Sequence, residues 1–320
     1  MINVFINYIC FMNYKYYLLL HFIIIVWGFT GVIGKALDNT GMRSMPIVVI
    51  RMFIGWGTLF IYMLFSGQSF RIDSKGLLKT IGTGFVIAAH WWAFFKSIEL
   101  SNVSVALIFL STTALFTSFV EPVIAKKKFD YKELLMGIIV VIGIGIIIND
   151  LPISENENYL WAIILALLAA FLAAFFSVVN SVLVKEYNSK TISLYELFGG
   201  FVGISLVALL SGDYVIADFN ISSYQFLLLF LLGSLCTSFA FLIGVYVMKF
   251  IPAYTVNLSV NMEPIYAIIL ALIFFGESEI MGLNFYLGSL IVIGTIIINA
   301  FLKKHKRIRI AKLPQNKKVS

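Results

Sequence analysis

Charge is scarce in this sequence. Of 320 residues, 12% are Asp, Glu, Lys or Arg and 61% are hydrophobic, where soluble globular chains average roughly 25% charged. Mean hydropathy is +0.98. So little polar surface cannot screen the chain from water, so its solvent is lipid and no sizeable aqueous domain is expected. Histidine is confined to His21, His90 and His305, and cysteine to Cys10 and Cys236, which leaves no metal site and no disulfide framework. A phosphate-binding Gly-rich loop ending in Lys-Ser/Thr, a His-Glu-x-x-His pair and a Gly-x-Ser-x-Gly turn are all missing. Without them ATP-driven work and the familiar hydrolytic chemistries lack their side chains. The expectation is therefore a protein that is no enzyme and holds no cofactor.

What is present is long apolar runs. They predict ten spans, near 16–37, 46–65, 76–98, 103–125, 133–149, 159–184, 191–210, 223–248, 252–275 and 283–302, each close to the roughly 20 residues that cross a bilayer. The first run lacks a small-residue cleavage site and reads as a retained helix. Met12 offers an alternative start that would leave 1–11 outside the native chain. With the N-terminus inside, 19 of the 23 basic residues fall on the cytoplasmic side, eight of them in 303–318. Only Lys35, Arg43 and Lys96 fall outside, among acidic outer loops. That bias places both termini in the cytoplasm of a plasma-membrane protein. The net charge of +7 therefore marks membrane topology rather than nucleic acid.

The halves resemble each other. Phe109-Leu-Ser-Thr-Thr-Ala-Leu-Phe-Thr117 aligns with Ser259-Val-Asn-Met-Glu-Pro-Ile-Tyr-Ala267 at a displacement of 150, and Gly137-x5-Gly143 matches Gly288-x5-Gly294. Five spans per half is odd, so the second half must be inverted, the architecture of secondary transporters with a site near the midplane. The expected organisation is an N-terminal segment (1–15), a first repeat (16–149), an outer linker (150–158), a second repeat (159–302) and a basic tail (303–320). The paired glycines serve close packing or a homodimer contact.

Ionisable groups at membrane depth cost about 2.5–3.5 kcal/mol on insertion scales, so they face the bundle interior and find partners. Arg51 and Glu196 superimpose at a displacement of 145, with Gly55 on Gly200. They either form a charge pair, flank a zwitterion, or snorkel to their interfaces. Glu263 is too deep to snorkel, and Pro264 removes the hydrogen bond to the Val260 carbonyl and breaks the helix. Exposed backbone at that depth has to be satisfied by protein or a watery cavity. Asn261 and Tyr266 lie beside it, and Glu263 is the first candidate for proton coupling. In the fourth span Thr113, Thr117 and Glu121 share a face, with Pro122 as a second break. Glu121 either carries a proton or neutralises Lys126, Lys127 and Lys128. His90 lies on the interior face of the third span, as substrate contact, proton carrier or bridge between helices. Trp91 and Trp92 are aromatic walls or interfacial belt.

Taken together these motifs resemble the EamA-type permeases of the drug/metabolite transporter superfamily. The resemblance rests on Trp27-Gly28-Phe29 followed by Lys35, on Arg51, on Glu263-Pro264-Ile265-Tyr266-Ala267 followed by Gly276-Glu277, and on the two glycine pairs. It implies an all-α fold of ten membrane helices in two inverted repeats that moves small organic molecules by alternating access. The first half departs from the family pattern, with Ala114 in place of the proline and Glu121-Pro122 two turns later. The expected function is export of an amino acid or similar metabolite. Glu263, His90 and Arg51 would form the cavity, with Thr113, Thr117 and Asn261, between aromatic walls of Trp27, Trp91, Trp92 and Tyr266. The alternatives are an amphiphile flippase, an intramembrane enzyme or a non-transporting scaffold. A small molecule and the lipid bilayer are the expected partners.

Overall fold

A computed structural model describes residues 2–126, 131–149, 151–153, 156–211, 220–260, 262–295 and 298. The described residues form helices and no strand, as backbone polar groups in lipid require when the chain does not close into a barrel. In order they are α1 (Ile2–Asp38), α2 (Ser44–Phe65), α3 (Ser74–Leu100), α4 (Val103–Leu110), α5 (Thr113–Ile124), α6 (Tyr131–Ile148), α7 (Asn158–Leu183) and α8 (Ser189–Ser211). Then come α9 (Ser223–Leu231), a π-helical segment (Leu232–Phe239), α10 (Ala240–Val247), α11 (Ala253–Val260), α12 (Glu263–Phe275) and α13 (Leu283–Thr295). Among the described residues six stretches are long and apolar enough to cross a bilayer, including Val103–Ile124 and Ser223–Val247. The chain is thus a multi-pass membrane protein. Its lipid-facing surface carries the side chains that water would reject, such as Leu78, Val123, Leu210 and Ile273. The basic tail and much of the acidic outer loops lie outside the described residues.

Polar side chains start several helices. Asn102 accepts the Val105 N–H at 2.8 Å to cap α4. Asp73 caps α3 through the Gly76 N–H at 3.1 Å, and Ser222 with Gln225 forms a capping box on α9. Each satisfies amides that the first turn leaves without partners. The connection before α3 is held against the start of α8. The Tyr187 hydroxyl donates to Asp73 at 2.7 Å, Lys190 to Gln68 at 2.9 Å, and the Tyr195 hydroxyl to the Phe70 carbonyl at 3.0 Å.

With lipid outside, helices associate through close packing rather than expulsion of water, and small residues set the distance. α3 crosses α8 at Gly84 and Gly200: a methyl on Gly84 would lie 2.2 Å from the Glu196 carbonyl oxygen. α2 crosses the π-helical segment at Gly55 and Gly233. These glycines align between the halves, and the contacts correspond too. α3 packs on α8 and α7, while the π-helical segment packs on α2 and α1; α5 packs on α7, while α12 packs on α1. Gly143 and Gly288 bring α6 and α13 together within this chain, whereas Gly294 has open space beside it.

The breaks in the helices are where sequence expectation and structure differ. Pro122 does not break its helix: α5 runs through it to Ile124. The interruption falls earlier, at Ser111 and Thr112. The hydroxyls of Ser111, Thr112 and Thr113 each donate to the carbonyl three residues back, at 2.6 to 2.7 Å. Three consecutive hydroxyls thereby take carbonyls that a continuous helix would keep for its amides. The second interruption, between α11 and α12, is offset by 150 residues. The Thr112 amide bonds the Phe109 carbonyl and the Phe116 amide that of Thr112. Correspondingly, the Met262 amide bonds the Ser259 carbonyl and the Tyr266 amide that of Met262. Pro264 sits in the first turn of α12, where its missing N–H costs nothing; it starts a helix rather than kinking one.

Candidate functional site

The two interruptions border a cavity of about 110 Å³ among the described residues, far above the roughly 10–15 Å³ that admits one water. α1 contributes Trp27 and Thr30, α2 Arg51, and α3 His90, Trp91 and Phe94. Ser111 and Thr113 face it from the first interruption, Glu263 and Pro264 from the second, and Ser177, Asn180 and Asn257 from α7 and α11.

Arg51 is 1% exposed. Its Nε donates to Thr237 Oγ1 at 2.5 Å, and its guanidinium carbon lies 3.9 Å from the centre of the Trp91 ring. Stacking on an indole face stabilises a guanidinium deprived of water, and one terminal nitrogen, Nη1, has no hydrogen-bond partner. Thr237 is available because the π-helical turn shifts its register: its hydroxyl also donates to the Leu232 carbonyl, five residues back, at 2.7 Å. Trp27 Nε1 donates to the Cys236 carbonyl at 3.2 Å, so this segment anchors two walls of the cavity. A π-helical insert inside an α-helix frequently marks a functional site.

Glu263 is 8% exposed and heads α12, where the unpaired amides of a helix N-terminus favour an anion. No hydrogen bond engages its carboxyl group among the described residues, and it shares the cavity with Arg51. His90 Nδ1 lies 2.8 Å from the Ala169 carbonyl oxygen. A carbonyl only accepts, so Nδ1 carries the proton, and Nε2 of the neutral ring is left as an acceptor. Asn257 ties three helices together. Its Oδ1 accepts from Ser177 at 2.7 Å, and its Nδ2 donates to Thr117 at 2.8 Å.

Of the residues singled out in the sequence, Glu263, Arg51, His90, Trp27, Trp91 and Thr113 therefore share one cavity. Thr117 stands behind it, supporting Asn257. Trp92 and Tyr266 are half-buried and lie off the cavity, Tyr266 packing where Gly28 brings α1 against α12. Glu121 is buried away from it, and Asn261 lies outside the described residues. Arg51 and Glu196 do not pair. Arg51 is taken by Thr237 and Trp91, whereas Glu196 accepts from Asn180 Nδ2 at 3.2 Å. Sequence reasoning missed Ser177, Asn180 and Thr237. Their signal was polar residues three apart in the very apolar run of α7, and the small polar stretch Gly233-Ser-Leu-Cys-Thr-Ser238.

A multi-pass helical protein with a guanidinium, an imidazole and a carboxyl group around an aromatic-walled cavity has the make-up of a membrane transporter. The chain belongs to the EamA-like transporter family, whose sequence profile matches residues 14–149 and again 160–301, and with it to the drug/metabolite transporter superfamily. It is similar to an uncharacterized transporter of Clostridium kluyveri, 23% identical over 65% of this chain and 67% of that one. It is also similar to the uncharacterized transporter YxxF of Bacillus subtilis, 22% identical over 77% and 78% of the two chains. A protein crystal structure shares the fold at a TM-score of 0.64, covering 90% of this chain and 97% of its own at 14% identity.

Proposed function

We propose that this transporter exports an amino acid or a similar small zwitterionic metabolite across the plasma membrane by alternating access. The observation that carries the reading is one cavity lined by the Arg51 guanidinium and the Glu263 carboxyl group beside Trp27 and Trp91. A zwitterion presents both opposite charges, and an apolar side chain fits against indole. Two inverted five-helix repeats, with both termini cytoplasmic, suit this mechanism, because the cavity lies between interruptions related by the repeat displacement. The charge distribution supports that orientation. Of the 23 basic residues, 19 fall on the side assigned to the cytoplasm and three on the other, which is the bias that sets orientation.

Glu263→Gln tests the assignment. A contact to a charged group contributes about 1.5–3 kcal/mol, so losing the carboxylate is expected to cut transport roughly tenfold to a hundredfold. Membrane insertion should be unchanged. The measurement is a metabolite comparison of media from cells overexpressing the wild type and the variant. Export unchanged by the substitution, at equal protein in the membrane, would remove Glu263 from the site.

A further inference from the structure

Two buried carboxyl groups differ in their relation to the cavity: Glu263 borders it, and Glu196 reaches it only through Asn180. Glu196, on α8, is 0% exposed, and so is Asn180 of α7, which does line the cavity. Asn180 Nδ2 donates to Glu196 Oε2 at 3.2 Å. The other halves of both groups, Asn180 Oδ1 and Glu196 Oε1, are buried with no hydrogen-bond partner. Both are acceptors. An amide and a carboxylate together hold one donor edge for three acceptor atoms, whereas an amide and a carboxylic acid are complementary. Reversing the Asn180 amide would set its oxygen against Oε2 and leave that contact without a donor.

Among the described residues no cation supplies the missing donor. Among the helices packed on α8, α2 carries Arg51, held by Thr237 and Trp91, and Tyr62, which is exposed. α3 carries Lys75 and Lys79, both exposed, Lys96 and Glu99, paired with each other, and His90, bound to the Ala169 carbonyl. The Tyr246 ring of α10 packs on Tyr16, and Tyr159 begins the far end of α7. On α8 itself Lys190 and Tyr195 bond Gln68 and Phe70. An unpaired carboxylate in such surroundings is far costlier than a neutral acid. Glu263, by contrast, shares its cavity with the Arg51 guanidinium.

We propose that Glu196, rather than Glu263, is the resident proton-binding site of this protein, with the proton on the carboxyl and donated to Asn180. One proton is gained and no bond is broken. A proton on Oε1 gives Glu196 a donor to match the orphaned Asn180 amide oxygen, while Nδ2–H keeps its bond to Oε2. Because Asn180 also lines the cavity, an occupant that draws on its amide oxygen competes for the same proton, which links filling of the cavity to release at Glu196. The proton site itself does not depend on the occupant being a zwitterion.

Difference infrared spectroscopy of the purified full-length protein in lipid reads the site directly, through the carbonyl stretch of a protonated carboxylic acid and its shift in D₂O. At neutral pH the wild type should show this band. Glu196→Gln should lose one band, Glu263→Gln should keep it, and Glu196→Asp should move it without abolishing it. Should Glu196→Gln fail to fold, the shift with Glu196→Asp carries the assignment. A wild-type spectrum without the band overturns the proposal. So does a band that Glu196→Gln and Glu196→Asp leave untouched, or one that disappears only with Glu263→Gln. None of these outcomes bears on the export comparison, which can fail or succeed by itself.

Discussion

Gly84 and Gly82 lie two residues apart on α3, and the same substitution should act on them with opposite sign. A methyl at Gly84 would sit 2.2 Å from the Glu196 carbonyl oxygen and 2.7 Å from the Gly200 nitrogen. Both are backbone atoms of α8 and neither can rotate away. Real contacts of this kind begin near 3.0 Å, so α3 and α8 must separate by about 1 Å where they are closest. Overpacking of a filled core costs about 1–3 kcal/mol, and backbone on backbone belongs at the upper end, near 3 kcal/mol. A methyl at Gly82 meets nothing within 4 Å. There Gly→Ala stabilises the helix by about 1 kcal/mol through propensity alone. The two variants should therefore differ by about 4 kcal/mol, summing those two terms. Thermal stability of the detergent-purified protein, followed by loss of the monodisperse chromatographic peak, should rank Gly82→Ala at or above wild type and Gly84→Ala well below. Equal midpoints for the two would refute the close approach of α3 and α8 and the arrangement of the cavity built upon it.

Two further outcomes follow from named contacts. Asn257→Leu removes the bonds to Ser177 and Thr117; bonds between membrane helices average about 0.6 kcal/mol each, so unfolding in mixed micelles should show a loss of roughly 1–2 kcal/mol. No change would mean that α5, α7 and α11 are not tied there. Outside the membrane, the Tyr187 hydroxyl, with lesser help from the Gly76 amide and Lys75, holds the Asp73 carboxyl below its ordinary range, and Asp73 in turn raises Tyr187. A lowered folded value means that the contact's contribution is complete above the ordinary carboxylate range and is lost as pH falls through the folded value. Tyr187→Phe should move the Asp73 titration upward by NMR, and an unmoved titration would show that the hydroxyl is not its partner.

How much of this was legible in the sequence depends on which interaction decided each feature. The helices followed from apolar runs, because lipid leaves the backbone few choices. Arg51, His90 and Glu263 stood out because charge and imidazole are rare at that depth. Pro122 misled because proline is read as a breaker, yet α5 continues two residues past it to Ile124, giving up the one amide bond to the Ser118 carbonyl. The true interruption at Ser111 and Thr112 comes from hydroxyls, which leave weaker marks than proline does. The π-helical segment was invisible for a related reason: its register depends on Thr237, Cys236 and their partners Arg51 and Trp27, which lie about two hundred residues away. The aligned positions of Arg51 and Glu196 suggested a pair, but repeat symmetry makes them equivalent in the fold without making them neighbours.

The matched interruptions also set the mechanical scale of the molecule. α4 and α11 are eight residues each, levers of about 12 Å at 1.5 Å per residue. Each hangs from a joint where hydroxyl or short-range bonds replace the regular ladder. Tilting such a lever by about 10° swings its far end by about 2 Å, comparable to a water molecule's radius. A pair of short levers with their fulcrums beside the cavity can therefore shift part of its lining by the radius of a water molecule while the long helices α3, α7 and α8 stay in register.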